Sequence, residues 1–228
     1  MSPPSVIPPP RLSFAFGPLG MDKLFSASDQ ERLEKHCNIV SRAPLLEFES
    51  GAARAQLADT DILITGWGCP PIDASVLKRA SSLTFIAHAA GSVKHLIGPA
   101  VFECGITVTN AAAANAVPVA EFALAAILFA NKDVLRFRQL YAQQRRSLEL
   151  HQSFDGDSGG WYKKVGIVGA SRIGRRVLEL LRPHAMDILL FDPLVGAGEA
   201  EQLGVELVSL PELMSECQTI SLHWRPSW

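Results

Sequence analysis

The stretch Val165-Gly166-Ile167-Val168-Gly169-Ala170-Ser171-Arg172-Ile173-Gly174-Arg175 constrains the chain more than any other. An apolar run ends on a glycine, and a second glycine follows five positions later inside an amphipathic pattern. This is a buried strand, a tight turn at Gly169, and a helix that Gly174 allows to pack close against the strand it has left. The start of such a helix presents unpaired N–H groups and the positive end of the helix dipole, which together suit a phosphate. Eighteen residues beyond Gly174, a second apolar run, Asp187 to Phe191, ends on Asp192. An acidic side chain at that place accepts hydrogen bonds from adenosine ribose hydroxyls. The stretch therefore predicts a dinucleotide site made of Gly169, Ser171, Arg172, Ile173, Gly174 and Asp192. NAD is expected rather than NADP, because Asp192 opposes a 2'-phosphate and no arginine follows closely to accept one.

One position departs from the usual G-x-G-x-x-G spacing. Ser171 stands where the middle glycine lets the backbone approach the pyrophosphate, and the substitution is expected to weaken binding more than folding. A P-loop shares the gap between Gly169 and Gly174, yet Arg175 and Arg176 occupy the positions where lysine and a metal-binding hydroxyl are required.

Short apolar runs alternate with helical patterns along the rest of the chain, the signature of parallel strands joined by crossover helices. The predicted class is α/β. Strands are expected at Leu12–Phe16, Asn38–Val40, Asp61–Thr65, Leu83–His88 and Thr107–Thr109, with helices near Asp29–His36, Ala52–Ala58 and Asp73–Ala80. A long helix is expected from Val117 and Pro118 toward Tyr141, since proline is tolerated in a first turn. A polar, glycine-rich loop should cover Arg146 to Trp161. Beyond it come a strand at Lys163–Val168, a helix at Ile173–Leu181, strands at Asp187–Phe191, Glu206–Val208 and Thr219–Leu222, and a helix near Pro211–Ser215.

The chain has 228 residues, 19% of them charged, and a net charge of -2, so a nucleic-acid partner is not expected. Arg136, Arg138, Arg145 and Arg146 read as a solvated face, with no aromatic platform for stacking bases. Cys37, Cys69, Cys104 and Cys217 lack the C-x-x-C spacing of a zinc or redox site, so no metal is expected and the thiols read as reduced in a cytoplasmic protein. Residues 1–11, with five prolines, read as a disordered tail and not as a leader or anchor. The apolar run Phe122 to Phe129, flanked by Glu121 and Lys132, reads as too short to span a membrane. Of the histidines, His36, His151 and His184 read as surface or capping residues, and His88 and His95 as packing residues more than substrate contacts.

These pieces together resemble the D-isomer-specific 2-hydroxyacid dehydrogenases, from about Leu12 to His223. Ala89-Ala90-Gly91-Ser92-Val93-Lys94-His95-Leu96 is similar to that family's substrate loop, which implies that Ala90, Gly91 and Ser92 grip the substrate carboxylate. Gly105–Asn110 and Ala116–Glu121 resemble the crossover into its cofactor domain. Lys164–Gly169 with Gly174, and Phe191-Asp192-Pro193, resemble its cofactor fingerprint, and Ile220-Ser221-Leu222-His223 the strand ending beside the nicotinamide riboside. The resemblance implies a flavodoxin-like substrate domain over 12–115 and an incomplete, doubly wound Rossmann domain over 116–228. It implies NAD-dependent hydride transfer to or from a small 2-hydroxy or 2-oxo acid, and a homodimer. The family's catalytic arginine, histidine and carboxylate fall beyond Trp228, so no catalytic residue is assigned, and the chain reads as C-terminally truncated. Trp224–Trp228 also departs from the small residue and proline expected after His223. The alternative is a non-catalytic NAD-binding or interaction protein.

Overall fold

The computed structural model describes residues 8–18, 21–144 and 159–224. The chain divides into two compact units, 1–112 and 113–228. In the first unit, β1 (Arg11–Ala15), β2 (Asn38–Ile39), β3 (Ile62–Thr65), β4 (Phe85–His88) and β5 (Thr107–Asn110) form one sheet in the order β2-β1-β3-β4-β5. Every pair is parallel. This is the flavodoxin-like order, in which the winding reverses between β1 and β3. Helices cover both faces, so the inner strands are apolar on both sides. On β1, Leu12 and Phe14 join one core cluster with Phe16 and Ile64, while Ala15 joins the other with Leu63, Ile86, Leu57 and Val76.

Side-chain caps start the helices where the sequence pattern placed them. Ser26 opens α2 (Ala27–His36) with a capping box to Asp29, Ser50 opens α3 (Gly51–Ala58), and Asp73 opens α4 (Ala74–Arg79). Two short helices escaped the pattern, α1 (Met21–Leu24) and one at Pro99–Glu103, because one or two turns carry too few positions to show a period. The expected tail over 1–11 needs correction at its end. Arg11 opens β1, and its guanidinium and backbone N–H both donate to Asp61, at 2.8 Å each. Residues 1–7 lie outside the described residues.

The second unit opens within α5 (Ala112–Asn131), followed by α6 (Val134–Gln144). This corrects the expected single helix from Val117 toward Tyr141. Asn110 Oδ1 accepts from the Ala112 N–H at 3.1 Å, and the alanines that follow propagate the helix, so it starts earlier and places Pro118 in its second turn. It stops because Asp133 takes a left-handed conformation, φ 50°. The helix is also longer than the run Phe122–Phe129 suggested: with Glu121 inside it, its 20 residues are long and apolar enough to cross a membrane by length and composition alone. Ala116, Ala120, Ile127 and Asn131 are buried on one stripe, and Ala120 and Ile127 pack with Val165, Ile167 and Val177. That stripe makes it a helix seated on the sheet of this unit.

That sheet contains β6 (Lys163–Val168), β7 (Met186–Phe191), β8 (Glu206–Leu207) and β9 (Thr219–Leu222), all parallel, in the order β8-β7-β6-β9. It matches the first four places of the Rossmann order 3-2-1-4-5-6. α7 (Arg172–Leu181), α8 (Ala197–Leu203) and α9 (Leu210–Glu216) connect the strands. α8 was not anticipated, since Gly196, Gly198 and Gly204 mask a helical pattern only seven residues long. The expected loop over 146–161, with Arg145, Arg146 and His151, falls largely outside the described residues.

Candidate functional site

The C-terminal ends of β6, β7 and β9 converge on the turn that leads into α7. β6 is buried from Val165 to Val168, and Gly169 turns the chain with φ +96°. A β-carbon on Gly169 would lie 2.5 Å from Trp224 Cα, and one on Gly174 would lie 2.0 Å from Gly169 O. Neither position admits a side chain, because the helix start, the turn and the segment after β9 share one closely packed spot. The His223 N–H donates to Val168 O at 2.7 Å and holds that segment in place.

Ser171 is the N-cap of α7, and its Oγ accepts from the Gly174 N–H at 3.4 Å. The departure from glycine thus has a structural role: the hydroxyl satisfies one of the helix's first four N–H groups. Among the described residues, nothing accepts from the N–H groups of Arg172 and Ile173. These two amides, with the dipole behind them, form a helix start suited to an anion.

Asp192 lies one residue past the end of β7 and is bonded into the same turn. Its Oδ2 accepts from the Ala170 N–H at 2.7 Å and its Oδ1 from the Leu194 N–H at 2.8 Å. Each carboxylate oxygen keeps a further lone pair for an incoming hydroxyl. Neither these amide contacts nor the Arg175–Glu199 ion pair at 2.6 Å, which ties α7 to α8, shows in the local residue pattern. His223 follows β9, with Nε2 at 2.8 Å from Ser221 Oγ, and burial holds its pKa below the ordinary histidine range. It is therefore a neutral ring at physiological pH. The six residues read from the glycine stretch and His223 thus lie around one turn of one unit.

Ala90, Gly91 and Ser92 lie in the first unit, on the loop after β4. Ala90 is buried, and its carbonyl shares the Ala111 N–H with that of His88, at 3.0 Å each, while Ser92 is exposed. At the root of this loop, His88 is buried with Nδ1 at 2.9 Å from Thr65 Oγ1, and its ring meets that of His95 edge-on at 6.3 Å. Burial, and then His95, lower the pKa of His88. All four cysteines are free thiols, and the described residues contain no cluster of potential metal ligands.

Residues 124–226 match the profile of the D-isomer-specific 2-hydroxyacid dehydrogenase NAD-binding domain. D-3-phosphoglycerate dehydrogenase of Mycobacterium leprae is 32% identical over 152 residues, covering 67% of this chain and 28% of that protein. Erythronate-4-phosphate dehydrogenase of Shewanella loihica is 32% identical over 170 residues, 75% of this chain and 38% of that protein. The chain thus spans well under half the length of these relatives. Among solved structures, a phosphoglycerate oxidoreductase from Rhizobium etli superposes with a TM-score of 0.71 at 23% identity, over 94% of this chain and 66% of that one. D-lactate dehydrogenase from Aquifex aeolicus, complexed with NAD and lactic acid, gives 0.66 at 22% identity, over 94% and 60%. These structures share the fold, and the sequence profile goes further: residues 124–226 match the NAD-binding domain of the D-isomer-specific 2-hydroxyacid dehydrogenases.

Proposed function

We propose that the chain serves NAD-dependent oxidoreduction of a small 2-hydroxy or 2-oxo acid. The observation that carries this is the meeting of Gly169, Gly174 and Asp192 around a helix start whose Arg172 and Ile173 amides have no acceptor among the described residues. In this reading those two amides and the Ser171 hydroxyl donate to the pyrophosphate, at a place where only backbone and small side chains stand in the way. Asp192 accepts from the adenosine ribose hydroxyls. Its charge disfavours a 2'-phosphate, so NAD is preferred over NADP. His223, neutral and oriented by Ser221, sits on the nicotinamide riboside side. When bound, NAD supplies the hydride acceptor at its nicotinamide ring.

Ala90, Gly91 and Ser92 present the substrate loop, and the amides of Gly91 and Ser92 hold the carboxylate of the acid. No residue of the chain is assigned to proton transfer. The exposed apolar residues of α5, Phe122 and Phe129 above all, support a homodimer, and four free thiols support a cytoplasmic setting. The test is titration of the purified chain with NADH and NADPH, coupled to NADH oxidation with glyoxylate, pyruvate and hydroxypyruvate. Saturable NADH binding is the expected result, and turnover with it would mean that a residue of this chain supplies the proton. Binding without turnover would leave the non-catalytic alternative, and no binding would remove the cofactor site.

A further inference from the structure

In a doubly wound sheet, ligands gather outside the carboxyl ends of the strands, at the point where the winding reverses. In the first unit that point lies between β1 and β3. What stands there is a rigid mount carrying a half-exposed indole. Gly66 to Cys69 form a four-residue turn closed by the Cys69 N–H on Gly66 O at 3.2 Å, with Gly68 at φ +79°, the third-position geometry of a type II turn. Trp67 occupies the second position and is 55% exposed.

The turn is also locked to the end of β1. The Gly17 N–H donates to Trp67 O at 2.7 Å, and a β-carbon on Gly68 would lie 2.8 Å from Gly17 Cα. A backbone clamp of this kind fixes the Trp67 main chain without burying its side chain. An aromatic ring on a fixed main chain binds at little conformational cost, since only its two side-chain torsions remain to be ordered.

The surroundings set the chemistry such a ring would meet. Thr65 to Ile72 contain no charged residue. Burial pushes the Cys69 thiol up to about 12, so it presents neutral surface at physiological pH. The substrate loop leaves the next strand in register: Thr65 pairs with His88, and the Ala89 N–H donates to Thr65 O at 2.7 Å. The Trp67 turn and the Ala90–Ser92 loop therefore rise from adjacent strands at one edge of one sheet.

We infer that Trp67 is a specificity-determining residue that packs against the side chain of the acid, so that the preferred substrate is a 2-oxo or 2-hydroxy acid with a large apolar or aromatic side chain. This rests on the assignment of the acid's carboxylate to the Gly91 and Ser92 amides. The competing substrate is a phosphorylated acid, for which exposed Lys94 on the substrate loop would be the cation.

The test uses the full chain with phenylpyruvate, pyruvate and 3-phosphoglycerate, with and without saturating NADH. Affinity is read by calorimetry, and the Gly91, Ser92 and Trp67 indole signals by 15N-resolved NMR. The expected result is that phenylpyruvate binds about tenfold tighter than either other acid and is the only one of the three to move the indole signal. Trp67→Ala removes the preference and Trp67→Phe keeps most of it, both with the wild-type amide dispersion that marks a folded chain. Equal affinities in Trp67→Ala and wild type, or a preference for 3-phosphoglycerate, would overturn the assignment of Trp67 while the Gly91 and Ser92 shifts persist. Gly91 and Ser92 amides that stay still with every acid would overturn the carboxylate assignment itself, and this inference with it.

Discussion

Gly174 is the residue on which the second unit's turn depends most plainly. A methyl group there would meet Gly169 O at 2.0 Å, and backbone cannot retreat as a flexible side chain can. Gly174→Ala is expected to cost roughly 1–3 kcal/mol of stability, read as a lower urea midpoint, together with loss of NADH affinity. His88 makes a prediction of a different kind. Its folded pKa lies below the ordinary value, so folding favours the neutral ring. The corresponding stability is present above about pH 6.5 and is lost as the pH falls through the lower folded value. Thermal melts between pH 7.5 and 5 should show this loss, and the difference between wild type and His88→Asn should shrink toward acid, since asparagine does not titrate in that range. A constant difference would contradict it. At this scale the sequence was legible where backbone geometry demands one residue type, as at Gly169 and Gly174. It was not legible where a side chain answers to a distant partner. Nothing near Ser171 revealed that it caps the helix, and nothing near Asp192 revealed its bonds to Ala170 and Leu194.

Among elements, α9 shows what local signals determine. Ser209 and Glu212 form a reciprocal capping box, Leu210 and Pro211 open the helix, and Leu213 is fully buried. Ser209→Ala is expected to destabilise the chain by about 1 kcal/mol, measured by urea denaturation, with NADH affinity unchanged because α9 contributes none of the residues assigned to the dinucleotide. The strands were readable because a parallel sheet covered on both faces needs near-continuous apolar runs. Helix ends were less readable. α5 begins at Ala112 because Asn110 caps it, and it ends at Asn131 because Asp133 adopts a left-handed conformation. Neither cause shows in hydrophobic period. Asn131 itself is buried, with Oδ1 accepting from Thr219 Oγ1 at 2.6 Å. A polar residue in an apolar helix therefore marks where that helix is tied to β9.

In the whole molecule, two parallel sheets each have their proposed site at the carboxyl edge, one beside the β1–β3 reversal and the other beside the β6–β9 reversal. The alternation of apolar runs with helical patterns was enough to read both. The proposed substrate loop was legible only through resemblance, since the role proposed for Ala90, Gly91 and Ser92 falls to backbone amides that any small residue could supply. Trp67 escaped notice because a single exposed tryptophan looks ordinary until the turn beneath it is seen. The central claim is that the start of α7 holds a dinucleotide pyrophosphate, and a crystal structure of the full chain with NADH tests it most directly. It should show pyrophosphate oxygens about 3 Å from the Arg172 and Ile173 nitrogens, and ribose hydroxyls on Asp192. A dinucleotide bound elsewhere, or one whose phosphates leave those two amides uncontacted, would contradict the account.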